Sequence, residues 1–211
     1  MNGVAFSPDG RLVASWSDDH SARLHDLRTG EARVLEGHGD EVWSLAFSAD
    51  GALAVTAGKD ATLRVWDTAT GAPRHTLSAG QQPFSRASFL AGGERLVSLG
   101  GDRALRVWEL SSGRSRVLAD ERVRVVFAAD HRHALSSGPD GRLALHDLLA
   151  GTTVAAPPAL RVLDDRKRVG PASPMSLSDD GALVVAGTSS LEFTLGDKPM
   201  PGRVFLAAIK P

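Results

Sequence analysis

The residues whose types could support chemistry fall into a few short clusters. His131-Arg132-His133 sets two imidazoles at i and i+2, a spacing that can bind a metal ion, but the triplet falls in a turn between two strands with no carboxylate placed to join it. Asp9-Gly10, Asp50-Gly51 and Asp180-Gly181 lack the alternating acidic ligands and closing glutamate of a calcium loop, so hairpin turns account for them. The glycine pairs in Gly92-Gly93-Glu94 and Gly100-Gly101-Asp102 are not followed by the lysine or helix that a phosphate cradle requires. Asp164-Asp165-Arg166-Lys167-Arg168 is a mixed-charge run, read as an exposed loop that can also serve as an interaction loop. No metal or cofactor is expected from these clusters.

The elements that would position any site follow from the bulk of the chain. It has 211 residues, 42% hydrophobic and 23% charged, which suits a globular fold with a sizeable core. A formal charge of −1 gives no electrostatic reason to expect nucleic acid or anionic lipid as partner. Without cysteine there is neither a disulfide framework nor a thiolate zinc site, and the cytoplasm is the default location. The longest stretch free of charge and histidine, Leu148 to Leu160, is interrupted by Pro157-Pro158 and falls short of the roughly 20 residues that span a bilayer, so no membrane contact is expected.

The chain repeats itself. Val4 to Gly10 (VAFSPDG) recurs as Leu45 to Gly51 (LAFSADG) and, more weakly, as Met175 to Gly181 (MSLSDDG). Phe6, Phe47, Phe89, Phe127 and Leu177 are separated by 41, 42, 38 and 50 residues. A second anchor, in phase with the first, reads Leu24-His25-Asp26, Val65-Trp66-Asp67, Val107-Trp108-Glu109 and Leu145-His146-Asp147. Within a unit, short apolar runs alternate with Asp-Gly, Ala-Thr-Gly or Gly-Gly turn signals, which is strand punctuation. The second unit predicts strands near Val42 to Phe47, Ala52 to Ala57, Thr62 to Trp66 and Arg74 to Ser78. Four-stranded units with two apolar faces must stack on neighbours to bury both.

Gly37-His38, Ser48-Ala49-Asp50-Gly51, Lys59-Asp60 and Val65-Trp66-Asp67 together resemble a full WD repeat. The resemblance implies an all-β fold, a β-propeller of about five four-stranded antiparallel blades at 1–36, 37–78, 79–119, 120–163 and 164–211, in one domain. It is strongest in the second unit and weakest in the fifth, where Leu191 to Leu195 has neither tryptophan nor aspartate. The first strand is expected at Met1-Asn2-Gly3-Val4 and the last at Arg203 to Ile209, with no spare strand to complete a blade from the other end, so the ring is expected to be open or truncated unless five blades close by face packing alone.

The resemblance also implies a buried network of His38, Thr56, Asp60 and Trp66 in the second blade: carboxylate to imidazole, imidazole to hydroxyl, hydroxyl to indole. Such a chain satisfies groups that are costly to bury bare. Histidine, threonine and aspartate are also the residue types of a hydrolytic triad, but the set recurs in part once per blade, whereas catalysis needs one set per protein. The other units keep Ser15 and Asp19; Ser98, Asp102 and Trp108; and Ser136 and Asp140 with His146 in the tryptophan's place. Only the second has the histidine, and it is expected to be the most rigid.

Binding in such proteins concentrates on the narrow face, matched here by Asp18, Trp43, Lys59, Arg86, Gly101, Val123 and Pro139. Among these Trp43 is either an interface anchor or a core residue between blades. The leading expectation is a non-catalytic scaffold that binds other proteins or peptides, with self-association through unclosed propeller edges as a further route. An enzymatic or ligand-binding propeller is the alternative, disfavoured by the apolar inner strands Val4-Ala5-Phe6, Leu45-Ala46-Phe47 and Val125-Val126-Phe127. A truncated remnant of a larger repeat protein is the other.

Overall fold

The computed structural model describes residues 1–122, 124–128, 130–139 and 143–155, and beyond them the strands at 175–177, 183–186, 193–195, 198–200 and 205–208. Every described regular element is a strand. Four antiparallel meanders of four strands follow one another along the chain. The first holds β1 (Gly3–Phe6), β2 (Leu12–Trp16), β3 (Ala22–Asp26) and β4 (Ala32–Leu35). The second holds β5 (Val42–Phe47), β6 (Leu53–Gly58), β7 (Leu63–Asp67) and β8 (Pro73–Leu77). In the third are β9 (Phe84–Phe89), β10 (Arg95–Gly100), β11 (Leu105–Glu109) and β12 (Ser115–Ala119), and in the fourth β13 (Arg124–Phe127), β14 (His133–Ser137), β15 (Leu143–Asp147) and β16 (Thr152–Ala155). The first strand of the second unit lies where the alternation places it, and the other three are displaced by one residue at both ends, the usual scatter of strand boundaries.

The fifth four-stranded unit does not take that form among the described residues. β17 (Met175–Leu177), β18 (Leu183–Ala186) and β21 (Phe205–Ala208) make a three-stranded sheet, while β19 (Phe193–Leu195) and β20 (Lys198–Met200) pair only with each other. Residues 191–195, expected as the third strand, therefore give up that place to the apolar run Phe205–Ala208, whose Leu206 faces Val185 in register. Pro199 in β20 has no N–H to give a second neighbour, which suits an isolated two-stranded ribbon. The run at 164–168, Asp140, Val123 and the Asp180-Gly181 turn lie outside the described residues.

The chain divides into two compact units, Met1–Val117 and Leu118–Pro211. In the first, the sheets stack face to face. Leu12, Ala14, Leu24 and Leu35 of the first sheet pack with Leu45, Phe47 and Trp66 of the second. On its opposite face the second sheet offers Val55, Leu63, Val65 and Leu77 to Phe84, Phe89 and Trp108 of the third. Each aromatic covered in this way contributes about 1.5–3 kcal/mol. Both faces of a sheet are consumed, which is why the strands alternate small and large apolar residues rather than apolar and polar ones.

Two turns recur. Ser48 Oγ donates to Asp50 Oδ1 at 2.6 Å and accepts from the Leu53 N–H at 2.9 Å, with Gly51 left-handed at φ 71°; Ser7, Asp9, Leu12 and Gly10 repeat the pattern. Between second and third strands, Asp19, Asp60 and Asp102 accept from the N–H groups of Ser21, Thr62 and Ala104 at 3.1, 3.0 and 3.2 Å. The residue after each aspartate, His20, Ala61 or Arg103, is left-handed at φ 63–68°. A carboxylate that bonds the backbone two residues on is what allows a non-glycine residue to hold that conformation.

Candidate functional site

The Asp60 turn brings together the four residues singled out in the second unit. His38 stands in the loop before β5, Thr56 on β6, Asp60 in the β6–β7 turn and Trp66 on β7. His38 Nδ1 lies 3.0 Å from Asp60 Oδ2, and His38 Nε2 lies 2.7 Å from Thr56 Oγ1. The indole N–H of Trp66 donates to Thr56 Oγ1 at 2.8 Å. With its Nδ1 proton on the carboxylate, the imidazole accepts the Thr56 proton at Nε2. The Gly39 N–H, at 2.9 Å, and the Thr62 hydroxyl, at 2.8 Å, also donate to Asp60. Gly58 makes room: a Cβ there would sit 2.5 Å from His38 Nδ1 and 2.6 Å from Asp60 Oδ1.

Burial pushes the His38 pKa down, Asp60 opposes that shift, and the Arg64 charge adds to it. For Asp60, burial raises the pKa, but the Gly39 N–H, the Thr62 hydroxyl and His38 outweigh it and hold the carboxyl below its usual value. The pair is thus a neutral imidazole on an ionised carboxylate. Thr56 is fully buried against Trp66, so its hydroxyl has no open side from which to attack a substrate. The arrangement ties strands together; a nucleophile needs access.

The other sheets solve the same turn differently. In the third, Trp108 Nε1 donates to Ser98 Oγ at 2.8 Å, but Asp102 is held by the Arg106 guanidinium, with Nη1 at 2.9 Å. In the first, Arg23 Nη1 reaches Asp19 Oδ2 at 3.0 Å, and Ser15 meets His25 at 3.4 Å. Sequence reasoning misses these arginines, although Asp-x-x-x-Arg recurs at 19/23, 60/64 and 102/106. In the second sheet the histidine occupies the carboxylate and Arg64 turns toward Gly37, where an added Cβ would lie 2.6 Å from its Nη1. In the fourth, His146 takes the tryptophan's place between Ser136, at 2.6 Å, and Thr153, at 2.9 Å. Burial, with the Arg122 charge, pushes its pKa down to about 4.

The surface positions lie apart from this core. Trp43 sits on a β-bulge: the β5–β6 register passes from Val42↔Gly58 directly to Ser44↔Ala57. The bulge turns the indole outward, 36% exposed, and its N–H donates to Glu41 Oε2 at 2.9 Å. Lys59 Nζ holds the other oxygen of Glu41 at 2.8 Å and stands 3.6 Å from Asp40. Asn2 joins Asp18 to the Val42 carbonyl, at 2.7 and 3.0 Å. Arg86 requires a correction. The β9–β10 register skips Ser85, so Ser85, 42 residues after Trp43, occupies Trp43's place, and Arg86 stands opposite Leu99 as Ser44 stands opposite Ala57. The bulge recurs at the same place in both sheets, so the 42-residue interval from Phe47 to Phe89 leads from Trp43 to Ser85, and Arg86 repeats Ser44.

His131-Arg132-His133 also changes. Asp130 lies beside it, with Oδ2 2.5 Å from His133 Nδ1, because this aspartate shapes the turn by accepting from the N–H groups of Arg132 and His133. A carboxylate is therefore present after all, serving one histidine. Among the described residues no group of three or more His, Asp or Glu side chains is placed to hold a metal ion.

Residues 1–26 and 30–67 match the family model of the WD domain, G-beta repeat. No curated protein matches the chain. The matched stretches cover all four strands of the first sheet and the second sheet through β7, including His38, Thr56, Asp60 and Trp66. Two stretches of this chain are thus similar to the WD repeat, and both fall on four-stranded antiparallel sheets.

Proposed function

We propose that this chain is a non-catalytic protein–protein interaction module, its sheets serving as blades of a propeller of about five that is open or incomplete. WD repeats generally mediate such assembly. The observation that supports a binding role is Trp43: an exposed indole, aimed outward by a bulge and fixed by Glu41, which Lys59 holds in turn. A rigid aromatic with a charged surround is a frequent anchor of protein interfaces. The test is affinity capture with the wild type, Trp43→Ala, Lys59→Ala and a rim control, Thr70→Ala. The same proteins should be lost from the first two variants only, with Tm within about 2 °C of wild type, as for surface substitutions. Unchanged capture, or a large fall in Tm for Trp43→Ala, would refute the anchor.

A second mode, self-association, has its own observation. Phe6 is 68% exposed and Val4 58%, while their counterparts one repeat on, Phe47 and Leu45, are each 6% exposed because the first sheet covers them. The Phe6 side of the first sheet thus offers the apolar face that the second and third sheets bury. Sedimentation across a concentration series should show association that Phe6→Asp abolishes; a concentration-independent monomer would end this reading.

A further inference from the structure

At the end of β3, β7 and β15, Asp26, Asp67 and Asp147 each accept backbone N–H groups of the following turn and one arginine: Arg11 at 3.0 Å, Arg74 at 2.6 Å and Arg132 at 2.6 Å. The third sheet breaks this rule. Glu109 holds the position, exposed, and three arginines gather around it. Arg95 lies directly across the strand pair from Glu109. Arg114 and Arg116 come from the start of β12 and the turn before it. With Val107 and Ser115 they line a hollow of about 210 Å³, and Arg95 and Glu109 continue into a second one with Glu94 and Ser111. Among the described residues, no hydrogen bond or ion pair engages the guanidinium of Arg95, Arg114 or Arg116.

We infer that this hollow binds an oxyanion on a partner protein segment, the side chain of a glutamate, aspartate or phosphorylated serine. Repeat equivalence makes the case. Arg116 corresponds to Arg74, which in the second sheet is consumed by Asp67, whereas Arg95 and Arg114 stand where the second sheet has Leu53 and Ala72. Two added cations and the loss of the internal pairing leave three guanidinium groups facing one carboxylate in the hollow and one more, Glu94, at its edge. Guanidinium forks take carboxylate and phosphoryl oxygens bidentately, and they do so best where no internal anion competes. Val107 gives the stem of an acidic side chain an apolar wall. A cation would meet like charge, and a neutral group would leave the arginines uncompensated.

The test uses three labelled peptides of one length, built on alternating glycine with glutamate, phosphoserine or glutamine, and inorganic phosphate alone, read by fluorescence anisotropy and calorimetry at low salt. The glutamate or phosphoserine peptide should bind, the glutamine peptide should not, and the affinity should fall steeply with added salt. Comparison of the two acidic peptides, with phosphate alone, identifies which oxyanion the hollow prefers. Arg114→Ala with Arg116→Ala should weaken binding about ten-fold or more, Arg95→Ala likewise, and Glu109→Gln should tighten it, while Arg28→Ala should leave it unchanged. All of these side chains lie outside the buried core, and an unchanged Tm keeps the comparison valid. Acidic peptides that fail to bind, bind equally to the arginine variants, or bind no better than the glutamine peptide would overturn the inference.

Discussion

The second and third sheets carry the same turn with the same aspartate and hold it by different means. In the second, Asp60 is reached by an imidazole that continues through Thr56 to Trp66, so a loop, two strands and a turn share one chain of hydrogen bonds. In the third, Trp108 and Ser98 keep their bond, but the carboxylate is served by Arg106 from the neighbouring strand, with no histidine between them. A local ion pair therefore takes the place of the histidine as the carboxylate's partner. The lesson is that both sheets keep the tryptophan N–H and the turn aspartate paired while changing the aspartate's partner.

The largest effects should come from the tryptophans. Trp66→Ala and Trp108→Ala each remove a fully buried ring and should cost about 3–5 kcal/mol in chemical denaturation, with Trp66→Ala the worse because it also leaves Thr56 short of a donor. Next come the hydroxyls. Thr56→Ala strands both the Trp66 N–H and the His38 ring, and should cost about 2–4 kcal/mol, against about 1–3 for Ser98→Ala, which strands the Trp108 N–H alone. Equal costs would mean that the His38 link adds nothing.

A third comparison uses pH. His38 titrates below its ordinary value of about 6.5 when folded, so above that pH folded and unfolded chains are both neutral there and its contribution is fully present. As pH falls below about 6.5 the unfolded chain takes up the proton first, and stability declines until the folded pKa is passed. His146, with a folded pKa of about 4, imposes the same sign between about 6.5 and 4 in the fourth sheet. His38→Gln should flatten the part of this dependence that belongs to the second sheet, whereas the third sheet, whose aspartate is held by arginine, should show none of it. The smallest effect is expected for Arg106→Ala, about 1 kcal/mol, since Asp102 is a third open to solvent and keeps the Ala104 N–H.

Much of this architecture is legible in the sequence. The tryptophan and phenylalanine anchors mark four units because their spacing reflects sheet-on-sheet packing, which repeats. The fifth is not legible, because residues 191–195 carry no anchor and Phe205–Ala208 pairs with β18 across a longer connection than any earlier unit uses. Histidine is the aspartate partner that the residue types suggest, and Arg23 and Arg106 are not. Their approach depends on the left-handed residues His20 and Arg103, which fold the next strand back over the carboxylate. Trp43 can be nominated from its position but not oriented, since the bulge beneath it leaves no trace in an alternation only six residues long.

Peptide-resolved hydrogen exchange tests the comparison most directly. If the linked network makes the second sheet the most rigid, amides of β6 and β7 should exchange more slowly than those of β10 and β11, and His38→Ala should bring the two together. Slower exchange in β10 and β11 of the wild-type protein would contradict it.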